Sequence, residues 1–96
     1  MYGTIARMRV KPGKEAELAQ IGRESAQGIP GLVFEHIFKM DADPNEYMLV
    51  VAFTDKASYR ANAESPEQNE RYQQYVALLD GEPEWHDGEI VDSYPG

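Results

Sequence analysis

The stretch LVFEHIFKMDADPNEYMLVVAFT, residues 32–54, decides the fold. It reads as two apolar runs around a turn. The first run, 32–40, is rich in Val, Ile and Phe, which suit a pleated strand. The turn, 41–46, holds Asp41, Asp43, Pro44 and Asn45, residues that favour tight reversals. The second run, 47–54, is apolar on both faces, as a strand in the middle of a covered sheet should be. Two adjacent strands joined this way form an antiparallel hairpin.

Working outward, residues 2–10 alternate. Tyr2, Thr4, Ala6, Met8 and Val10 share one face, and Gly3, Ile5, Arg7 and Arg9 the other, so a strand is predicted. KPG at 11–13 breaks it. Residues 14–27 are rich in helix formers, with Leu18, Ile21 and Ser25 at helical spacing, and Gly28 is placed to end that helix. After the hairpin, Asp55 can cap a short helix over 56–64. Ser65, Pro66 and Gln68 then read as the N-cap, first position and capping-box partner of another helix. Its apolar stripe is Tyr72, Tyr75, Val76 and Leu79. A loop at 80–83 leads to a last strand over 84–93.

The order is β-α-β-β-α-α-β: an α+β, ferredoxin-like chain with a four-stranded antiparallel sheet and its second helix in two pieces. One domain spans 1–96. Helices cover one face of such a sheet. The other face would leave an apolar patch in water, and a second copy of the chain is the expected cover.

The hairpin also assigns faces. Pairing Met40 with Tyr47 sets Phe38 near Leu49, His36 near Val51 and Phe34 near Phe53. The helix side would then hold Leu32, Phe34, His36, Phe38, Met40, Tyr47, Leu49, Val51 and Phe53. Val33, Glu35, Ile37 and Lys39 would lie opposite, with Met48, Val50, Ala52 and Thr54. Strand alternation keeps the neighbours Glu35 and His36 apart on either assignment, unless a bulge intervenes.

Composition excludes several functions. Seventeen acidic residues against nine basic ones give a formal charge of −8. Nucleic acids and anionic membrane surfaces are therefore not expected partners, because both require clustered Lys and Arg. A neutral aromatic ligand would feel little of this field. There is no cysteine, hence no disulfide, thiolate metal site or cysteine nucleophile. With no apolar signal or bilayer-length run, a cytoplasmic location is expected.

The segments VKPGKEAEL (10–18), PGLVFEH (30–36), DADPNEYMLVVAFTDKASYRANAESPE (41–67) and LLDGEPE (78–84) resemble the antibiotic biosynthesis monooxygenase (ABM) superfamily of dimeric α+β barrels. The resemblance implies a homodimer with two sheets packed face to face, and a pocket in each subunit between sheet and helices. Arg7, Arg9, Glu35 and Lys39 would then lie at or near the sheet–sheet interface. It also implies an activity. Several members oxidise multi-ring phenols to quinones with oxygen and no metal or flavin. That chemistry needs an apolar pocket, removal of a proton and stabilisation of negative charge. Tyr59, within SYRAN (58–62), matches a pocket tyrosine of the quinone-forming members. Leu49 and Phe53 stand where those members carry asparagine and tryptophan. The heme-degrading branch carries asparagine, tryptophan and a ligating histidine where this chain has Ala6, Asn62 and Tyr72, so heme degradation by that mechanism is excluded.

The candidate catalytic residues are His36 and Tyr59. The candidate substrate-binding residues are Phe34, Leu49, Phe53, Asn62, Tyr72 and Tyr75. Each has a plain structural reading beside the functional one. On the apolar face, His36 either accepts a phenolic proton or is a core histidine bonded to a tyrosine or carbonyl. The tyrosines either bind ligand oxygens or pack with their hydroxyls at the rim. Asn62 either orients a ligand or serves the break between the two helices. His86 beside Trp85 has no companion at metal-ligand spacing, and no metal or other cofactor is expected. The leading expectation is a cofactor-independent monooxygenase acting on a small or multi-ring aromatic. The alternative is a non-catalytic ligand-binding or stress-response protein of the same fold.

Overall fold

The structure is a computed structural model. It describes residues 1–95, and all side chains among them except those of residues 25 and 26. The helical spacing assigned to Ser25 thus falls outside the described side chains.

The elements are β1 (Tyr2–Arg9), α1 (Glu15–Ala26), β2 (Leu32–Lys39), β3 (Glu46–Phe53), α2 (Lys56–Ala63), α3 (Pro66–Leu78) and β4 (Glu84–Glu89). The sheet is antiparallel with strand order β2-β3-β1-β4. This is the expected α+β, ferredoxin-like arrangement. The last strand is shorter than the predicted 84–93.

Start signals act as the sequence indicates. Asp55 accepts a hydrogen bond from the Ser58 N–H at 2.7 Å, and Ser58 answers with a bond to the Asp55 backbone. Ser65 accepts from the Gln68 N–H at 3.1 Å, with Pro66 in the first helical turn. These contacts satisfy N–H groups that a helix start leaves without internal partners.

On β1 the predicted faces are observed. Thr4, Ala6, Met8 and Val10 are buried, while Ile5, Arg7 and Arg9 are exposed. The core joins Ala6, Met8 and Val10 to Leu18, Tyr47, Leu49, Leu78 and Leu79, with Ile37 packed against it.

On β2 the expected faces are reversed. Lys39, not Met40, lies opposite Tyr47, so Ile37 pairs with Leu49, His36 with Val50 and Glu35 with Val51. The turn causes the shift, because it is one residue shorter than expected. Glu46 belongs to β3, where it receives the Met40 N–H at 3.0 Å. Asp43 organises the reversal. Its carboxylate accepts from the Asn45 N–H at 3.0 Å and from the Arg9 guanidinium at 2.7 Å, and its carbonyl accepts from the Glu46 N–H at 3.0 Å. A register slip of one residue moves every side chain of a strand to the other face. A bulge between Leu32 and Phe34 adds a second irregularity. Leu32 therefore lies opposite Phe53, where Phe34 was expected, while Phe34 lies opposite Ala52.

Glu35 and Ile37 thus join the helix side, and Phe34, His36 and Phe38 join the open face. This parts Glu35 from Arg7 and Arg9, with which it was expected to share the open face. Arg7 pairs with Glu46, and Arg9 with Asp43. Phe38 is 55% exposed and Ile5 47%. The open face therefore carries apolar surface beside its ion pairs. Among the described residues, no helix is long and apolar enough to cross a membrane.

Candidate functional site

Between the sheet and helices α2 and α3 lies a cavity of about 310 Å³, at the small end of ligand-site volumes. Its floor comes from the sheet: Thr4 and Met8 of β1, Leu32 and Glu35 of β2, Leu49, Val51 and Phe53 of β3, and Trp85 of β4. Its roof comes from Tyr59, Asn62 and Ala63 of α2 and from Gln68, Asn69, Arg71, Tyr72 and Tyr75 of α3. Ile29 and Pro83 complete the rim. Most of the floor is apolar, and the polar groups fall into three sets.

The first set sits at the break between α2 and α3. The Ser65 N–H and hydroxyl both donate to the Asn62 carbonyl, at 3.0 and 2.8 Å. This stops α2 and turns the Asn62 side chain toward α3. There the Asn62 amide donates to Gln68 Oε1 at 3.2 Å. Arg71 donates to the same oxygen at 3.1 Å and to Asn62 Oδ1 at 3.0 Å. The expected capping-box role of the Gln68 side chain is thus replaced by this network. The guanidinium's planar fork is held by two neutral acceptors, and its positive charge is left uncompensated by them.

The second set is Tyr59 and Thr4. The Tyr59 ring stands edge-on to Tyr2 and Phe53, with centroids at 5.2 and 5.6 Å. Its hydroxyl donates to Asp87 Oδ1 at 2.8 Å. Burial first, and then the bond to Asp87 and its charge, push the phenol from 10.0 up to about 12. Tyr59 therefore stays protonated at neutral pH, with its proton committed and its lone pairs available. The nearby Thr4 hydroxyl favours the phenolate slightly, though not by enough to offset burial. Thr4 is 5% exposed, and its Oγ1 is buried without a partner that meets hydrogen-bond geometry. A buried orphan hydroxyl is costly in an apolar wall and calls for a polar neighbour.

The third set is Glu35 and Tyr75. The Tyr75 hydroxyl donates to Glu35 Oε1 at 3.4 Å. Burial raises the Glu35 carboxyl above its ordinary 4.5, and the Tyr75 bond and the Arg71 charge only partly oppose this. Close packing by α1 permits the arrangement. A Cβ on Gly22 would stand 3.2 Å from the Ile37 side chain and 3.5 Å from the Tyr75 hydroxyl.

The structure brings six of the eight sequence candidates to this cavity: Leu49, Phe53, Tyr59, Asn62, Tyr72 and Tyr75. Phe34 and His36 are not among its walls. They stack on one another across the open face at 5.1 Å, and His36 is exposed. The short turn is the reason. The placement of His36 on the helix side under the tyrosines is corrected, and Glu35 takes that position. Sequence reasoning also missed Thr4, Gln68, Arg71 and Trp85. Thr4 was legible from its alternation with Ala6 and Met8. Gln68, Arg71 and Tyr75 lie at i, i+3 and i+7, one helical stripe. Trp85 gave no positional signal. It packs near Tyr72, with ring centroids at 6.3 Å. His86 pairs with Glu84 at 2.8 Å on the exposed face. No group of three potential metal ligands occurs among the described residues.

Residues 1–78 match the sequence profile described as antibiotic biosynthesis monooxygenase. The chain belongs to the ABM family. Its fold is close to that of a variant of SnoaB, a cofactor-independent oxygenase from Streptomyces nogalater. That likeness has a TM-score of 0.83 at 18% identity and covers 99% of this chain and 97% of that one. A protein from Chloroflexus aurantiacus, provisionally assigned as an ABM monooxygenase, gives 0.77 at 25% identity over 97% and 95%. A conserved protein from Methanosarcina mazei gives 0.77 at 19% identity over 91% and 89%. At the lower identities the likeness is one of fold. A comparison with curated protein sequences finds no significant match.

Proposed function

We propose that this ABM-family protein is a cofactor-independent monooxygenase that converts a small or multi-ring phenol to a quinone in the cavity between sheet and helices. In overall balance, the phenol and dioxygen give the quinone and water. One oxygen atom enters the ring and the other leaves as water. The observation that carries the reading is the cavity's division of labour. Leu49, Val51, Phe53 and Trp85 offer an apolar bed for a ring, while polar groups at its margin can meet a ring oxygen. Tyr59 and Asn62 would contact the ligand, and Tyr72 and Tyr75 would close over it. Arg71 supplies positive charge where a phenolate or reduced oxygen would develop negative charge. The volume favours one or two rings.

The apolar open face, with Ile5 and Phe38 exposed, supports pairing with a second copy through that face. The protein would then work as a homodimer, its two cavities facing away from the shared interface.

Leu49 and Phe53 favour a second reading. Both are buried and offer no hydrogen bond, as would suit a non-catalytic protein that binds an apolar ligand. One experiment separates the two. Trp85 is the single tryptophan and lines the cavity, so its fluorescence reports occupancy. A panel of one- and two-ring phenols should quench it and support oxygen uptake by protein dialysed free of metal and flavin. Quenching without oxygen uptake selects the binding reading. No quenching by any of them removes both.

A further inference from the structure

We propose that Glu35 is the group that accepts the proton of the bound ligand's ring hydroxyl. The proposal deepens the oxygenase reading and rests on its cavity. Among the described residues lining that cavity, Glu35 is the sole carboxylate, and no histidine joins it. Tyr59 cannot serve as an ionised base near neutral pH, because its hydroxyl stays protonated and donates to Asp87. The amide oxygens of Asn62 and Gln68 are neutral and already accept from Arg71, and that of Gln68 from Asn62 as well. A hydroxyl entering the cavity thus meets one anionic acceptor.

Its geometry suits the task. Tyr75 holds Oε1, which leaves Oε2 for a ligand. Val51 lies opposite on β3, and Gly22 of α1 lets the helix come close behind the Glu35–Tyr75 pair. The ionisable groups facing Glu35 are Arg71, Tyr72 and Tyr75 from α3 and Tyr59 from α2 across the cavity. Arg23 of α1 borders a shallower hollow that shares the Glu35 wall. In the transfer, the ligand O–H bond breaks and a carboxyl O–H bond forms on Glu35. The electron pair stays on the ligand oxygen, where Arg71 provides the facing charge. Burial makes this carboxylate a stronger base than an exposed one, because it raises the cost of staying ionised. The same residue gives the site a preference: a free ring hydroxyl should bind where its methyl ether does not.

Two readouts on the full chain test this. In calorimetry, wild type should bind naphthol about tenfold more tightly than methoxynaphthalene, the order expected of a hydrogen bond to a charged group. Glu35→Leu should erase the preference by weakening naphthol alone. In oxygen uptake with a dihydroxynaphthalene, Glu35→Gln should lower kcat by about 100-fold with KM little changed. It should also abolish the acidic limb of the pH profile, and Glu35→Asp should restore part of the rate. If wild type binds both ligands but consumes no oxygen, the oxygenase reading fails, and loss of the naphthol preference in Glu35→Leu still supports Glu35 as the acceptor. A preference that survives in Glu35→Leu overturns the proposal, as does a pH limb that survives in Glu35→Gln. Should Glu35→Leu fail to fold, the same comparison of ligands in Glu35→Gln and Glu35→Asp decides.

Discussion

The face assignment of β2 puts Glu35 into the cavity and His36 outside it, so it merits the most direct test. Ile37 and Phe38 are adjacent, both are large and apolar, and they should behave oppositely. Ile37 packs on the core beneath α1, opposite Leu49. Ile37→Ala removes three carbons. At about 0.8 kcal/mol per buried carbon, full burial would give about 2.4 kcal/mol. Ile37 is only partly buried, which lowers that figure, and the void left behind raises it, so a loss of about 2 kcal/mol is expected. For a chain of this size the melting temperature should fall by roughly 8–16 °C. Phe38 is 55% exposed, so Phe38→Ala should cost the isolated chain about 1 kcal/mol or less. Its main effect should be on association, because Phe38 lies on the open face. The assay is thermal unfolding over a dilution series, with sedimentation on the same samples. Ile37→Ala should lose stability equally at every concentration. Phe38→Ala should lose it chiefly where wild type is dimeric, since association stabilises by mass action. If Phe38→Ala is the more damaging of the two in monomeric samples, the register is wrong and Glu35 does not face the cavity.

Other outcomes follow from single contacts. Burial lifts the Glu35 carboxyl above 4.5, so the folded chain keeps its proton over a range where the unfolded chain has lost it. The stability from this group is full below about 4.5 and is lost as pH rises through the raised value. Glu35→Gln should therefore melt higher than wild type at neutral pH, with the gain shrinking as the pH is lowered toward 4.5. Gly31 has φ +82°, and a Cβ there would stand 2.6 Å from the Ser58 Cβ. Gly31→Ala should thus cost at least about 2 kcal/mol in denaturant unfolding, from left-handed strain together with a clash under α2. The Tyr59 phenol should titrate near 12, above an ordinary tyrosine, in an ultraviolet pH titration compared with Tyr59→Phe. That variant should lose about 1 kcal/mol or less, because Asp87 is exposed and solvent competes for it.

Much of the fold was legible because its signals are local. Alternation in 2–10 fixed the faces of β1, and Asp55, Ser65 and Pro66 marked two helix starts within a residue. Helical spacing on α3 placed Tyr72 and Tyr75 on the inner stripe, and the order of elements was enough for the topology. The candidate site was legible in part for the same reason. Leu49, Phe53, Tyr59, Asn62, Tyr72 and Tyr75 lie on elements whose inner faces the pattern defines.

What the sequence alone determined on β2 was relative: Glu35 and His36 must part, because neighbours in a strand point opposite ways. Which of them turns inward was left to tertiary structure. β2 is apolar on both sides, so its pattern does not pin the register. The Asp43 turn, its bond to Arg9 on β1 and the bulge after Leu32 set it instead. Period two makes a strand unforgiving, since one residue in a loop exchanges the faces of everything beyond it. By that exchange an acid entered the cavity and an imidazole left it.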